Sequence, residues 1–167
     1  GISLLVEVLE GAKNIGILMG EEASLRMPLE DFEKLRSKID GTFSDCSKII
    51  KKVRLIKSEK EILILKNICS VANRSFDRAN RLFFSGQPLN EAFREFKITL
   101  LEEGAEEVPY LVGGAGRDGY VDVISPPSSK PLENGDILML DTGSTLKGYF
   151  CDFDRNWAIG TASDIAK

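Results

Sequence analysis

Residues 136–160 read DILMLDTGSTLKGYFCDFDRNWAIG. Ile137 to Leu140 is a run of four apolar residues, the pattern of a strand covered on both faces, and Asp141 follows it directly. Burying an ionised carboxylate costs on the order of several kcal/mol unless a cation or hydrogen bonds compensate, so Asp141 needs a partner. The chain turns between Thr145 and Gly148 and returns through Tyr149-Phe150-Cys151-Asp152. Strands pairing symmetrically about Leu146 and Lys147 put Asp141 opposite Asp152, on one face and roughly 5 Å apart at Cβ. Two carboxylates that close repel each other, and a divalent cation or a shared proton between them relieves the repulsion. Spacing alone is equally compatible with a strand-end cap at Asp141 and a surface charge at Asp152.

Upstream, Ser58 followed by Glu61 forms a capping box that starts a helix running to about Phe84. Ile62, Leu65, Ile68, Cys69, Ala72, Phe76, Ala79 and Phe83 recur along one face of it. A second helix, Leu89 to Glu103, presents Ala92, Phe93, Phe96, Leu100 and Leu101, and stops at Gly104. After Gly104 the period changes to that of strands: Val108–Gly113, Tyr120–Ile124, Asp136–Gly143 and Tyr149–Ile159, separated by Gly and Pro clusters. Two helices followed by an antiparallel sheet make this part α+β.

The first fifty residues alternate differently. Ile2–Leu9 reads as a helix closed by Gly11, Asn14–Met19 as a buried strand, and Pro28–Ile39 as a helix stopped by Gly41. Such α/β pieces belong to a parallel, helix-covered sheet, here as the tail of a larger domain. Lys51–Lys57 (KKVRLIK) reads as a basic connector between the two parts.

The 167 residues carry a formal charge of −4 and no histidine. The charge gives no basic stripe for nucleic acid. The missing histidine rules out serine-hydrolase triads and histidine-ligated zinc within this polypeptide. No apolar run is long enough for a membrane span, and the acidic residues of GISLLVEVLEG stand where a signal peptide would be basic. Three scattered cysteines, Cys46, Cys69 and Cys151, fit reduced thiols and a cytoplasmic setting.

With these residues in view, the stretches GDILMLDTG, GYFCDFDRN and AIG closely resemble the metal-binding hairpin of the "pita-bread" metallopeptidases. This is the family of methionine aminopeptidase, Xaa-Pro aminopeptidase, prolidase and creatinase. That hairpin supplies two aspartate ligands with ten residues between them. Asp141 and Asp152 match the spacing, and Gly143 and Gly148 match the neighbouring glycines. RLIKSEKEI (54–62) resembles the entry to the catalytic domain of the Xaa-Pro and creatinase branch, and KPLENGD (130–136) the turn before the first metal strand.

The resemblance implies residues 1–53 as the C-terminal part of a creatinase/prolidase-type N-terminal domain and 54–167 as the first half of a pita-bread catalytic domain. It implies a dinuclear hydrolase of Xaa-Pro peptide or other amide bonds, using two divalent ions (manganese, cobalt or zinc), with Asp141 and Asp152 as ligands. The histidine and two glutamates that complete the family's metal pair have no counterpart here. The chain therefore reads as a piece of a longer enzyme, with no complete catalytic set, weak metal binding, and self-association through exposed strand edges. A non-catalytic peptide- or protein-binding pita-bread module is the alternative, and retention of both aspartates weighs against it.

Other residues carry weaker signals. Asp154, where relatives often have threonine, shares a face with Asp152 and reads as a support for the metal site or, slightly favoured, as an ion-pair partner of Arg155. In 113–131, where relatives often place a substrate-contacting histidine, Arg117, Asp118 and Tyr120 are polar alternatives, although a solvated loop accounts for them more simply. Gly114, Gly116 and Gly119 spell GxGxxG, but an extended segment and prolines follow instead of the helix a dinucleotide site requires. Glu102, Glu103, Glu106 and Glu107 read as a solvated cluster, and Cys151 and Trp157 as core.

Overall fold

Ser58 opens the longest helix, α4 (Glu59–Arg78), through the expected capping box. Its hydroxyl accepts the Glu61 amide at 3.4 Å, and the Glu61 carboxylate accepts the Ser58 amide at 2.6 Å. A 3₁₀ turn (Ala79–Arg81) ends it, and α5 (Leu89–Glu102) follows from Pro88. Then come β3 (Glu107–Arg117), β4 (Asp136–Leu146) and β5 (Tyr149–Ala158), an antiparallel sheet in the order β3-β4-β5. The computed structural model describes residues 1–167, which divide into two compact units, Gly1–Lys57 and Ser58–Lys167.

The larger unit's core forms where the two helices cover one face of this sheet. Ile68, Val71, Ala72 and Phe76 of α4 and Phe93, Phe96 and Leu100 of α5 meet Leu138, Leu140 and Cys151. Phe76 stacks on Trp157 with ring centroids 5.5 Å apart, so Trp157 belongs to this layer as expected. Two residues placed on the core stripe fall outside it: Ile62 is 41% exposed and Leu101 44%. The buried residues of α4 begin only at Ile68. Tyr120–Ile124 is irregular rather than a strand. The Asp122 carboxylate accepts the Ile124 amide at 3.1 Å and the Ser125 hydroxyl, an Asx-type turn that competes with strand pairing.

The smaller unit comprises α1 (Ile2–Val8), β1 (Asn14–Ile17), α2 (Leu29–Arg36), β2 (Thr42–Asp45) and α3 (Ser47–Leu55). β1 and β2 pair in parallel, as an α/β fragment should. Ile15, Phe32 and Leu35 make its small core. Most of KKVRLIK, read as a connector, is the second half of α3, which buries none of its residues. No helix of the chain is long and apolar enough to cross a membrane.

Candidate metal centre

Register decides what the acidic residues can do together. Leu146 pairs with Tyr149, leaving Lys147 and Gly148 as a two-residue turn, both with positive φ (51° and 77°). That is the type I′ geometry that suits the twist of a hairpin. Lys147 holds this conformation with its amide donated to the Glu106 carboxylate at 2.7 Å. The expected centre at Leu146 and Lys147 was thus one residue early. Asp141 stands opposite Asp154, and Asp152 stands opposite Gly143. A displacement of two residues preserves the face, because strand side chains alternate with period two. Asp141, Asp152 and Asp154 therefore share the sheet face turned away from the helices.

The other face is sealed: Leu138, Leu140, Thr142 and Ser144 are fully buried. Thr142 donates to the Tyr110 carbonyl at 3.2 Å, and the Ser144 hydroxyl lies 3.2 Å from Cys151 Sγ. Cys151 is therefore a core residue, pointing away from Asp152.

Tyr110 brings the two aspartates to one point. Its hydroxyl is 2.6 Å from Asp152 Oδ1 and 3.0 Å from Asp141 Oδ1. One hydroxyl has one proton, so it donates fully to one carboxylate at a time. Burial, then the hydrogen bonds to Asp152 and Asp141, push the phenol well above its ordinary range. Its position depends on an irregularity in β3. Glu107 pairs with Thr145, but Tyr110 pairs with Gly143, so three steps on one strand answer two on the other. The extra residue is a β-bulge over Val108-Pro109. In a regular ladder Tyr110 would point into the helix layer, and the bulge turns it onto the acidic face. Sequence reading missed Tyr110. Pro109 was the available signal, because a proline within a strand marks an edge or a bulge.

Gly143 leaves room for this arrangement. Phe150 stacks on Tyr110, centroids 6.0 Å apart and planes 28° apart. A Cβ on Gly143 would stand 1.9 Å from Phe150 Cζ and 2.6 Å from Tyr110 Cε1.

The remaining candidates lie apart. The expected Asp154–Arg155 ion pair is absent, because neighbouring strand residues face opposite sides. Arg155 instead donates to the Asp154 carbonyl at 2.6 Å and lies over the Phe76 and Phe153 rings at 5.5 and 5.4 Å. Arg117 pairs with Asp136, five residues along β3 from Val112, the partner of Asp141. At the strand rise this is about 17 Å from the acidic pair. Asp118 and Tyr120 lie beyond it in the turn and irregular segment that follow.

In the GxGxxG stretch, β3 runs through Gly114 and Gly116 and turns at Asp118 with no helix to follow. A Cβ at Gly114 or Gly116 would come within 2.4 Å of the Asp122 or Gly119 carbonyl, so these glycines admit the returning loop. The acidic cluster is more than solvated. Glu103 pairs with Arg74 (2.8 Å) and Arg78 (3.0 Å), and Glu102 with Arg78 (2.8 Å). Hydrogen bonds from Arg74 and Arg78 lower the Glu103 carboxyl below its usual range.

The donor set fits a hard divalent ion in part. Two carboxylate oxygens converge on the phenol oxygen, and oxygen donors suit magnesium, manganese or calcium. Asp154 does not complete a third position, and no group of three or more His, Cys, Asp or Glu is placed to hold a metal.

Residues 64–167 match the model of metallopeptidase family M24. An Xaa-Pro dipeptidase of Pyrococcus horikoshii is 27% identical over 164 residues, covering 96% of this chain and 44% of the relative. Human Xaa-Pro aminopeptidase 3 is 25% identical over 130 residues, 75% of this chain and 24% of the relative. Among solved structures, an X-Pro aminopeptidase from Thermotoga maritima superposes with a TM-score of 0.83 at 27% identity, over 98% of this chain and 45% of the other. The prolidase from Pyrococcus horikoshii gives 0.82 at 26%, over 98% and 46%. The chain spans less than half the length of these relatives and has their fold over that span.

Proposed function

The chain belongs to metallopeptidase family M24, and on that premise we propose that it supplies Asp141 and Asp152 as two ligands of a dinuclear, metal-dependent hydrolase of Xaa-Pro peptide or related amide bonds. The observation that carries this reading is the convergence of both carboxylates on one hydroxyl, on the face of the hairpin that the helices leave open. When bound, divalent ions supply Lewis acidity and an activated water. This chain's own residues hold and orient. Asp141 and Asp152 provide negative oxygen donors, Tyr110 fixes their separation, and the sealed layer of Leu138, Leu140, Thr142 and Ser144 keeps the hairpin rigid beneath them. Asp154, directly opposite Asp141, adds negative charge beside the site.

By the family resemblance, a histidine and two glutamates complete the metal pair, and this chain has no histidine. On its own it binds manganese, cobalt or zinc weakly and does not turn over. In this reading residues 1–53 are the end of a creatinase/prolidase-type N-terminal domain, and 54–167 the first half of the catalytic one. The setting is cytoplasmic, the substrate is a peptide or other amide, and the assembly is a homo-oligomer formed through free strand edges.

Calorimetry with manganese or cobalt, on this chain and on Asp141→Asn with Asp152→Asn, tests the ligand assignment. Weak binding that disappears in the double variant is expected. Binding that survives both substitutions would overturn it. In a longer form carrying the remaining ligands, either substitution should abolish Xaa-Pro hydrolysis.

A further inference from the structure

Phe150 lies on β5 opposite Thr145, two residues before Asp152 and on the same face as the acidic pair. It is 43% exposed, although its strand neighbour Cys151 is buried. Strand alternation closes the helix-covered core to this ring, and it stacks on Tyr110 instead. Both rings lie against the α-carbon of Gly143, where any side chain would overlap Phe150 Cζ and Tyr110 Cε1. Gly143 pairs with Tyr110 on one side and with Asp152 on the other. One cross-strand row thus holds the phenol, its floor and one of the carboxylates it reaches. Phe150 flanks that row from the side of the turn, and Asp141 flanks it from the other.

Distances make the phenol's placement demanding. Its oxygen is within hydrogen-bond reach of both carboxylates at 2.6 and 3.0 Å, and a swing of about 1 Å would take it beyond the range for one of them. Tyr110 is only half-buried, and Phe150 is the aromatic ring packed against it.

We propose that Phe150, resting on the floor of Gly143, is a positioning residue for the candidate metal centre, holding the Tyr110 ring so that one hydroxyl spans Asp141 and Asp152. This rests on the reading of those aspartates as ligands. Phe150 touches no metal or substrate in this role. It acts through Tyr110 on the separation of the carboxylates, as outer residues around metal sites orient the ligands themselves.

The test is manganese affinity of the 167-residue chain, by calorimetry, for wild type, Phe150→Leu, Phe150→Tyr, Tyr110→Phe, and Phe150→Leu with Tyr110→Phe. Circular dichroism first establishes that each is folded. Phe150→Leu is expected to weaken binding about tenfold, the lower end of the range for outer-shell changes. Phe150→Tyr, which keeps the stacked ring, should restore wild-type affinity. The double variant should bind no more weakly than Tyr110→Phe alone. Wild-type affinity in Phe150→Leu, or losses that add in full, would overturn the positioning role.

Manganese binding indifferent to Asp141→Asn and Asp152→Asn would instead overturn the ligand assignment and this inference with it. If manganese binds below detection, NMR of the Asp141 and Asp152 carboxylate carbons in the metal-free chain decides. Those signals should shift in Phe150→Leu as they do in Tyr110→Phe, and stay in Phe150→Tyr. Carboxylate signals unmoved in Phe150→Leu would overturn the proposal.

Discussion

The two faces of the β4–β5 hairpin are made by alternate residues of the same strands, yet they are built on different principles. On the helix side, Leu138, Leu140, Thr142 and Ser144 are fully buried, and each polar group among them is matched within the protein. On the far side, Asp141, Asp152 and Asp154 share a surface with Tyr110, Phe150 and a bare glycine. The first face is a packing surface, where filled volume decides and apolar residues of matched size can replace one another. The second is a geometric one, where angstroms decide whether two carboxylates act as a pair. Stability should therefore depend on the first face and ligand binding on the second.

The largest effect separating them is Leu140→Ala. It removes a fully buried side chain beneath the aspartates and should cost about 2–5 kcal/mol in denaturant unfolding. A loss under about 1 kcal/mol would mean that the helix layer is loosely packed and the comparison false. Next is Gly148→Ala in the turn. At φ 77° a Cβ costs about 1–2 kcal/mol, visible as a lower thermal midpoint with the fold intact.

Asp141→Asn should change stability by no more than about 0.5 kcal/mol, because its work is on the open face. A fall well beyond that would identify the carboxylate as a structural cap and sink the ligand reading.

The smallest effect is on the alkaline side. Burial and the two carboxylates raise the Tyr110 phenol in the folded state, and its hydrogen bond to Glu61 raises Tyr149 in the same direction. The unfolded chain thus loses these protons first. Their contribution is complete below about pH 10 and declines as pH rises above it. Tyr110→Phe should flatten that decline in unfolding titrations followed by phenolate absorbance, and an unchanged slope would count against the Tyr110 contacts.

Legibility in the sequence follows the same division. Helices α4 and α5 could be read from their periodicity, and the start of α4 from Ser58 and Glu61, because capping and amphipathicity are local. The face shared by Asp141 and Asp152 was also legible, since parity survives an error of two residues in register. The pairing itself was not. It depended on whether Lys147, a residue that seldom adopts positive φ, would occupy the turn, and the Glu106 carboxylate that receives its amide lies 41 positions away. Short polar β2 (TFSD) carries too little pattern to announce itself, and it exists by pairing with β1. Asp154 and Arg155 looked like an ion pair because they are adjacent in sequence, yet adjacency on a strand separates side chains.

The bulge over Val108-Pro109 gives β3 one spare link. Three steps from Glu107 to Tyr110 answer two from Thr145 to Gly143, so removing either bulge residue would even the count and leave every partner in place. Tyr110 would still stand opposite Gly143 on the acidic face, and Leu111 opposite Thr142 on the apolar one. Removing both is different in kind. Tyr110 would then follow Glu107 directly and fall opposite Ser144, its phenol delivered into the apolar layer with every functional side chain still in the protein.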